Sequence, residues 1–291
     1  RSIRDGSGMA KRRSNAREIL SRFRRNRLAL FGAAILICLC VLAVFADFIA
    51  PYSYEEQDLL LSLDPPSRDH PFGADEFGRD ILSRVIYGAR VSLQVGFVAV
   101  GIGMILGGLL GAVAGFYGKR TDNIIMRTMD ILLSIPSTLL AIAIAASLGP
   151  GLFNLMVAVG IASVPRYARI VRGSVLSIRN QEFIEAAKAV GSSDARIIVR
   201  HVLPNCMAPV IVQATLGVAS AILNTAGLSF IGLGIQPPIP EWGAMLSSGR
   251  TYIRDFPHIT LFPGLAIMMT ILALNFVGDG LRDALDPKLK R

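Results

Sequence analysis

The side chains with the most chemistry in them gather in one polar stretch, Gln181 to Pro204, QEFIEAAKAVGSSDARIIVRHVLP. Glu182 and Glu185 fall in the first turn of a short helix that Asn180 can cap, where carboxylates favour the helix dipole. Gly191 supplies the left-handed residue that ends such a helix. Ser193 can cap a second helix, Asp194 to Val202, which Pro204 stops. The first helix presents Phe183, Ala186, Ala187 and Val190 on overlapping faces, small groups beside one aromatic knob. The chemistry on offer is docking, by ion pairing and apolar insertion, and not bond making. A solvated linker with ordinary caps is the alternative reading.

Other reactive patterns fail on spacing. Gly118-Lys119 lacks a glycine five residues earlier, and Arg120 stands where a phosphate loop needs Ser or Thr. His70, His201 and His258 sit at or beyond the ends of the apolar runs, and no His-Glu-x-x-His occurs. Cys38 and Cys40 would point their thiols to different helix faces, so they make a poor metal site, and Cys206 stands alone. No disulfide is implied. Asp75, Glu76 and Asp80 lack the glycine and glutamate spacing of a calcium loop and read as solvated caps and ion pairs.

The elements that must position the polar stretch are apolar. The chain has 291 residues, 52% of them hydrophobic, and a mean hydropathy of +0.52, too apolar for an ordinary water-facing surface. Six runs approach the length of roughly 20 residues that a membrane helix needs: Leu28–Ala50, Val91–Tyr117, Ile131–Leu148, Leu152–Tyr167, Ala208–Ile235 and Ile259–Val277. Pro165 and Arg166 shorten the fourth, which is expected to continue as a cytoplasmic helix through Ile178. The fold class expected is an all-α integral membrane protein of six transmembrane helices.

The net charge of +9 is sided, which argues for a membrane and against nucleic acid. Residues 1–27 hold ten Lys or Arg, 117–128 three, 165–207 seven and 280–291 four, whereas the loops at 51–90 and 236–258 hold four and two. By the positive-inside rule both termini and the polar stretch are cytoplasmic. The organisation read from this is a basic cytoplasmic segment 1–27, a first span 28–50, an extracytoplasmic loop 51–90 and a five-helix core 91–279. That core includes the cytoplasmic loop 166–207, and a cytoplasmic tail 280–291 follows. The first run is too long for a signal peptide and no A-x-A-like site follows it, so it reads as an uncleaved span.

Within this frame, Pro51 to Arg90 reads as a turn followed by an amphipathic helix lying on the membrane face. Gly103, Gly107, Gly111 and Gly115 repeat every four residues and let a neighbouring backbone come close, as static packing or as a sliding surface. Ser134 precedes Pro136, which kinks the third span. Gln213, Asn224 and Thr225 need partners or water at membrane depth, either as interhelical bonds or as lining of a path. Trp242, the only tryptophan, suits a membrane interface. Between Leu28 and Ala46, and within the other five apolar cores (the fourth cut short at Pro165), there is no Asp, Glu, Lys, Arg or His, which disfavours a self-contained ion-coupled carrier.

Glu185-Ala186-Ala187, three residues, Gly191, then Leu203-Pro204 resembles the EAA loop of ABC importer permeases. His201 departs from the usual aliphatic residue in a way the peptide branch of that family tolerates. The stretch from His70 to Leu93, Gly232-Leu233-Gly234 with Gln236-Pro237-Pro238 through Pro240-Glu241-Trp242-Gly243, and the tail Asn275 to Lys288 resemble the same branch. The resemblance implies a type I importer fold in a prokaryotic cell membrane. It implies docking of Phe183, Glu185, Ala186, Ala187, Gly191, Asp194 and Pro204 on an ATPase. It also implies a second homologous permease, two ATPase subunits holding ATP and Mg, and an extracytoplasmic binding protein. The chain itself would be no enzyme and hold no cofactor. Di- or oligopeptides are the implied substrates, with nickel complexes, glutathione or another small solute as the alternative.

Overall fold

The computed structural model describes residues 18–285; the start of the basic segment and the end of the tail, from Asp286, lie outside the described residues. Asn26 caps α1 (Arg27–Val44), its side chain accepting from the Ala29 amide at 3.1 Å. There follow α2 (Ile81–Tyr117), α3 (Lys119–Ser134), α4 (Ser137–Leu148), α5 (Leu152–Ile178), α6 (Glu182–Ala189), α7 (Met207–Phe230), α8 (Trp242–Gly249) and α9 (His258–Leu285), with single turns between some of them. Among the described residues the only pairing of extended backbone is an isolated bridge between Ala74 and Asp80, so the all-α expectation holds.

Helices α1, α2, α7 and α9 are long and apolar enough to cross a bilayer. The third expected span is not one kinked helix. It divides into α3 and α4, whose axes differ by 91°. Ile135 is extended (φ −93°, ψ 128°), the conformation that a following proline imposes on its neighbour, so Pro136 stops the helix outright. The charged residues Lys119, Arg120, Asp122, Arg127 and Asp130 leave α3 with one apolar face only. α5 continues through Pro165 to Ile178 as expected.

The surface helix expected before Arg90 is a second correction. Ile81 to Arg90 is the start of α2, continuous with the apolar run, and Ile81, Ser83, Arg84, Ile86, Gly88 and Ala89 are buried. No proline interrupts 81–117, and the polar groups that made its start look amphipathic find partners inside the protein. Asp80 caps it, accepting from the Ser83 amide and hydroxyl at 2.7 Å each.

α2 packs along α5 on one side and α7 on the other, and α7 packs on α9. α1 lies against α9, where a Cβ on Gly32 would come within 2.7 Å of the Ala273 carbonyl oxygen. Leu30, Phe31, Ile37 and Val41 of α1, Phe97, Ile105 and Leu109 of α2, and Leu261 and Met268 of α9 stay exposed. Such an apolar exterior matches a lipid-facing surface.

Candidate functional site

The polar stretch is a hinged pair of short helices held down from below. α6 begins at Glu182 with Gln181 as its extended N-cap; Asn180 lies one residue too early, and no side chain caps the start. Its end has both bonds of a Schellman motif: the Ser192 amide donates to the Ala187 carbonyl at 3.1 Å, and the Gly191 amide to the Lys188 carbonyl at 2.9 Å. Gly191 sits at φ +75°. After Ser193, which caps without a side-chain bond, the chain turns through Asp194–Ile197, widens into a π turn over Ile198–Val202 and continues through Leu203–Asn205. Pro204 therefore stops nothing. The π turn has already broken the regular ladder, and proline occupies a first-turn position where no amide is needed.

Ile184, Ala187, Ile197, Ile198 and Val202 are buried with Ala112, Val171, Val175, Cys206 and Val210 in one cluster. Ala187 is thus an anchor and not part of the presented face. Facing outward are Glu182, Phe183, Glu185, Ala186 and Asp194, with Val190 81% exposed and Val199 62% exposed. Glu182, Glu185 and Asp194 form no ion pair among the described residues. Asp194 lies by the Tyr117 hydroxyl, whereas the carboxylates of Glu182 and Glu185, beside bare apolar groups, suit a complementary basic and apolar cleft.

Beneath the loop, the four glycines of α2 meet α5. A Cβ on Gly103 would strike the Ser163 hydroxyl, one on Gly107 or Gly111 the backbone of Val164 and Ala168, and one on Gly115 the Val175 Cβ at 2.8 Å. Arg179, at the end of α5, donates to the Gly115 carbonyl at 3.1 Å. α3 grips the same helix from outside through Arg172–Asp122 (2.9 and 2.5 Å) and Arg169–Asp130 (2.7 Å).

At the α3–α4 break a cavity of about 170 Å³ is lined by Pro136, Ser137, Ser163, Arg166, Tyr167, Ser220 and Asn224, among others. It unites Pro136 with Asn224. Ser134 is not in its lining; its hydroxyl donates to the Ile131 carbonyl at 2.7 Å. Gln213 lies by a separate, more open hollow beside Ser174, Asn205 and Arg282. Arg166, Tyr167 and Ser163 were not singled out from the sequence, although the spacing Arg166, Arg169, Arg172 was there to read.

The family model described as binding-protein-dependent transport system inner membrane component matches residues 107–291. The chain belongs to that family. A second model, N-terminal TM domain of oligopeptide transport permease C, matches residues 14–66. The chain is 52% identical to the dipeptide transport system permease protein DppC of Alkalihalophilus pseudofirmus, over 94% of this chain and 90% of that one. It is 48% identical to the di/tripeptide permease DppC of Pseudomonas aeruginosa (95% and 93% covered) and to the glutathione permease GsiD of Escherichia coli (94% and 90%). An inward-facing MetNI methionine ABC transporter superposes with a TM-score of 0.56 at 18% identity, covering 70% of this chain and 96% of that one, which shows a shared fold. The chain is a permease subunit of a binding-protein-dependent importer and not an enzyme.

At its other end the permease carries a buried ion cluster. Asp75, Arg79, Asp80 and Arg84 are each at most 5% exposed, so the caps and ion pairs expected there exist but are not solvated. Asp75 takes Arg79 Nε at 2.7 Å and Arg84 Nε at 3.4 Å, and accepts from the Phe77 and Arg79 amides at 2.9 and 3.0 Å. Arg84 also donates to the carbonyls of Tyr54 (3.0 Å) and Pro238 (3.4 Å), tying two loops to the start of α2. Trp242 is fully buried rather than interfacial, its indole donating to the Val85 carbonyl at 3.0 Å. Glu241 caps α8 through the Gly243 and Ala244 amides, both at 2.9 Å; burial pushes its carboxyl above the usual range, while those amides pull it back.

Proposed function

We propose that the permease forms half of a pathway for di- or oligopeptides, with a second, homologous permease forming the other half. Two ATPase subunits holding ATP and Mg sit below it, and an extracytoplasmic binding protein delivers substrate. The observation that carries this reading is the outward face of α6: acids without partners around Phe183 and Val190, on a pair of short helices bound firmly to α2 and α5. Motion of an ATPase against that face would be passed to the span helices through the buried cluster. The peptide class rests on the names of the relatives; the glutathione relative keeps a small solute open as the alternative.

The reading makes six crossings: α1, α2, the α3–α4 pair, the apolar first half of α5, α7 and α9, in a prokaryotic cell membrane with both termini inside. In a variant lacking Cys38 and Cys40, both exposed, a cysteine placed at Asn180 should react with an impermeant maleimide only after the cells are opened. One placed at Asp64 or Arg254 should react in intact cells. Labelling at position 180 from outside would overturn the arrangement.

The role of the loop is tested in a reconstituted complex. Glu185→Ala removes a docking charge, an effect of about 1 kcal/mol if the pair is exposed and about 3–5 if docking buries it. Gly191→Val forces a side chain into a left-handed conformation, at about 1–2 kcal/mol. Both variants should keep membrane yield and ligand binding by the external protein, while uptake and ligand-stimulated ATP hydrolysis fall together. Full uptake with unchanged stimulation would reduce the loop to a linker.

A further inference from the structure

We propose that the cavity at the α3–α4 break is an anion-binding subsite that takes a carboxylate of the substrate in transit, with Arg166 as its cation. The inference rests on the reading of the chain as half of a peptide pathway.

Three arginines, Arg166, Arg169 and Arg172, follow one another along α5 at three-residue steps. The second and third are neutralised from α3, by Asp130 and Asp122. Arg166 pairs with no carboxylate among the described residues. It is also the arginine that lines the cavity, and no Asp or Glu shares that lining. Arg166 is exposed and open to a ligand, and beside it the cavity has apolar walls (Val100, Leu132, Ile135, Val159) that supply no counter-charge.

The rest of the lining suits an oxyanion. Ser137 and Asn224 bring a hydroxyl and an amide to this space from α4 and α7, while Ser163, Tyr167 and Ser220, also in the lining, donate to the carbonyls of Gly160, Gln213 and Leu216 and would have to turn to meet an anion. Ser220 and Asn224 stand one turn apart on α7, on one face. A guanidinium offers a planar fork that matches a carboxylate's two oxygens. A volume of about 170 Å³ admits a small charged group with its neighbouring atoms. The site lies where Pro136 ends α3, so the wall that encloses the anion is also the break that could open it.

A phosphate from an anionic lipid offers the same chemistry, and the test separates the two sources. A cysteine at Ala162, which lines the cavity, is placed in a background lacking Cys38 and Cys40, in the full complex reconstituted in phosphatidylcholine vesicles. Its alkylation by a neutral maleimide is timed with acetate, dialanine or dialanine amide, and again in vesicles containing phosphatidylglycerol. Acetate and dialanine should slow alkylation several-fold and the amide should not. Arg166→Gln should abolish this protection, Arg166→Lys should keep part of it, and Arg169→Gln should leave it in place. Equal protection by the amide, protection that survives Arg166→Gln, or none by acetate would overturn the subsite. Protection by phosphatidylglycerol alone, with no further effect of dialanine, would assign it to lipid and overturn the substrate role. Uptake of dialanine with the binding protein present is measured in parallel. Its absence would defeat the peptide reading while leaving the acetate result to decide the subsite.

Discussion

Replacing Asp75 with alanine is expected to destabilise the permease by about 3–5 kcal/mol, because it takes the nearest counter-charge from two buried guanidinium groups. Asp75 is the shared anion of Arg79 and Arg84, and Glu76, paired with Arg79 at the longer distance of 3.8 Å, compensates only in part. Arg84 would then hold its carbonyl partners in Tyr54 and Pro238 with the more distant carboxylate of Glu76 as its counter-charge. Asp75→Asn keeps an acceptor for the Phe77 and Arg79 amides but loses the charge, so it should fall between wild type and alanine. Trp242, fully buried against Val85, is a built-in reporter. Thermal unfolding in detergent followed by its emission should show a lower midpoint and an earlier red shift. Unchanged midpoints for both variants would mean that the cluster is a passenger.

The second large effect is expected of Gly107→Leu. A Cβ there would overlap the Val164 carbonyl and come within 2.8 Å of Tyr167 Cβ and 2.9 Å of the Ala168 amide. Two helix backbones would have to separate, and overpacking of this kind costs roughly 1–3 kcal/mol. Since α5 also carries the loop, the displacement should lower membrane yield and uptake together. Gly101→Leu is the matched control, because a Cβ at 101 meets nothing within 4 Å. Equal yields of the two variants would show that α2 and α5 do not depend on this approach.

The long helices were legible because their signal is local: apolar runs and the four-residue glycine spacing. Gly191 was legible for the same reason, since a helix stop followed by a left-handed residue is written in adjacent positions. What could not be read depends on partners far along the chain. Arg79, Arg84 and Asp75 look like solvent-facing charges until Tyr54 and Pro238 are brought beside them. Trp242 looks interfacial until Val85 accepts its hydrogen bond across 157 residues. Pro136 was rightly marked as a disturbance, but whether a proline kinks or ends a helix depends on what supports the far side. Here α3, with charges that pair to Arg169 and Arg172, is drawn out of line with α4. The outward acids of α6 were legible as types, whereas the division between Ala186 outside and Ala187 inside was not.

The two kinds of glycine in this chain impose opposite rules on substitution. At Gly107 the objection is to volume, and no choice of backbone angle relieves it. At Gly191 there is volume to spare, since a Cβ would meet nothing within 4 Å, and the objection is to handedness. Asparagine, which tolerates the left-handed region, should sit there at small cost, alanine at more and a β-branched residue at most. Position 191 is therefore a dial on which the stiffness of the loop can be graded by backbone preference alone, leaving every side-chain contact of the docking face as it was.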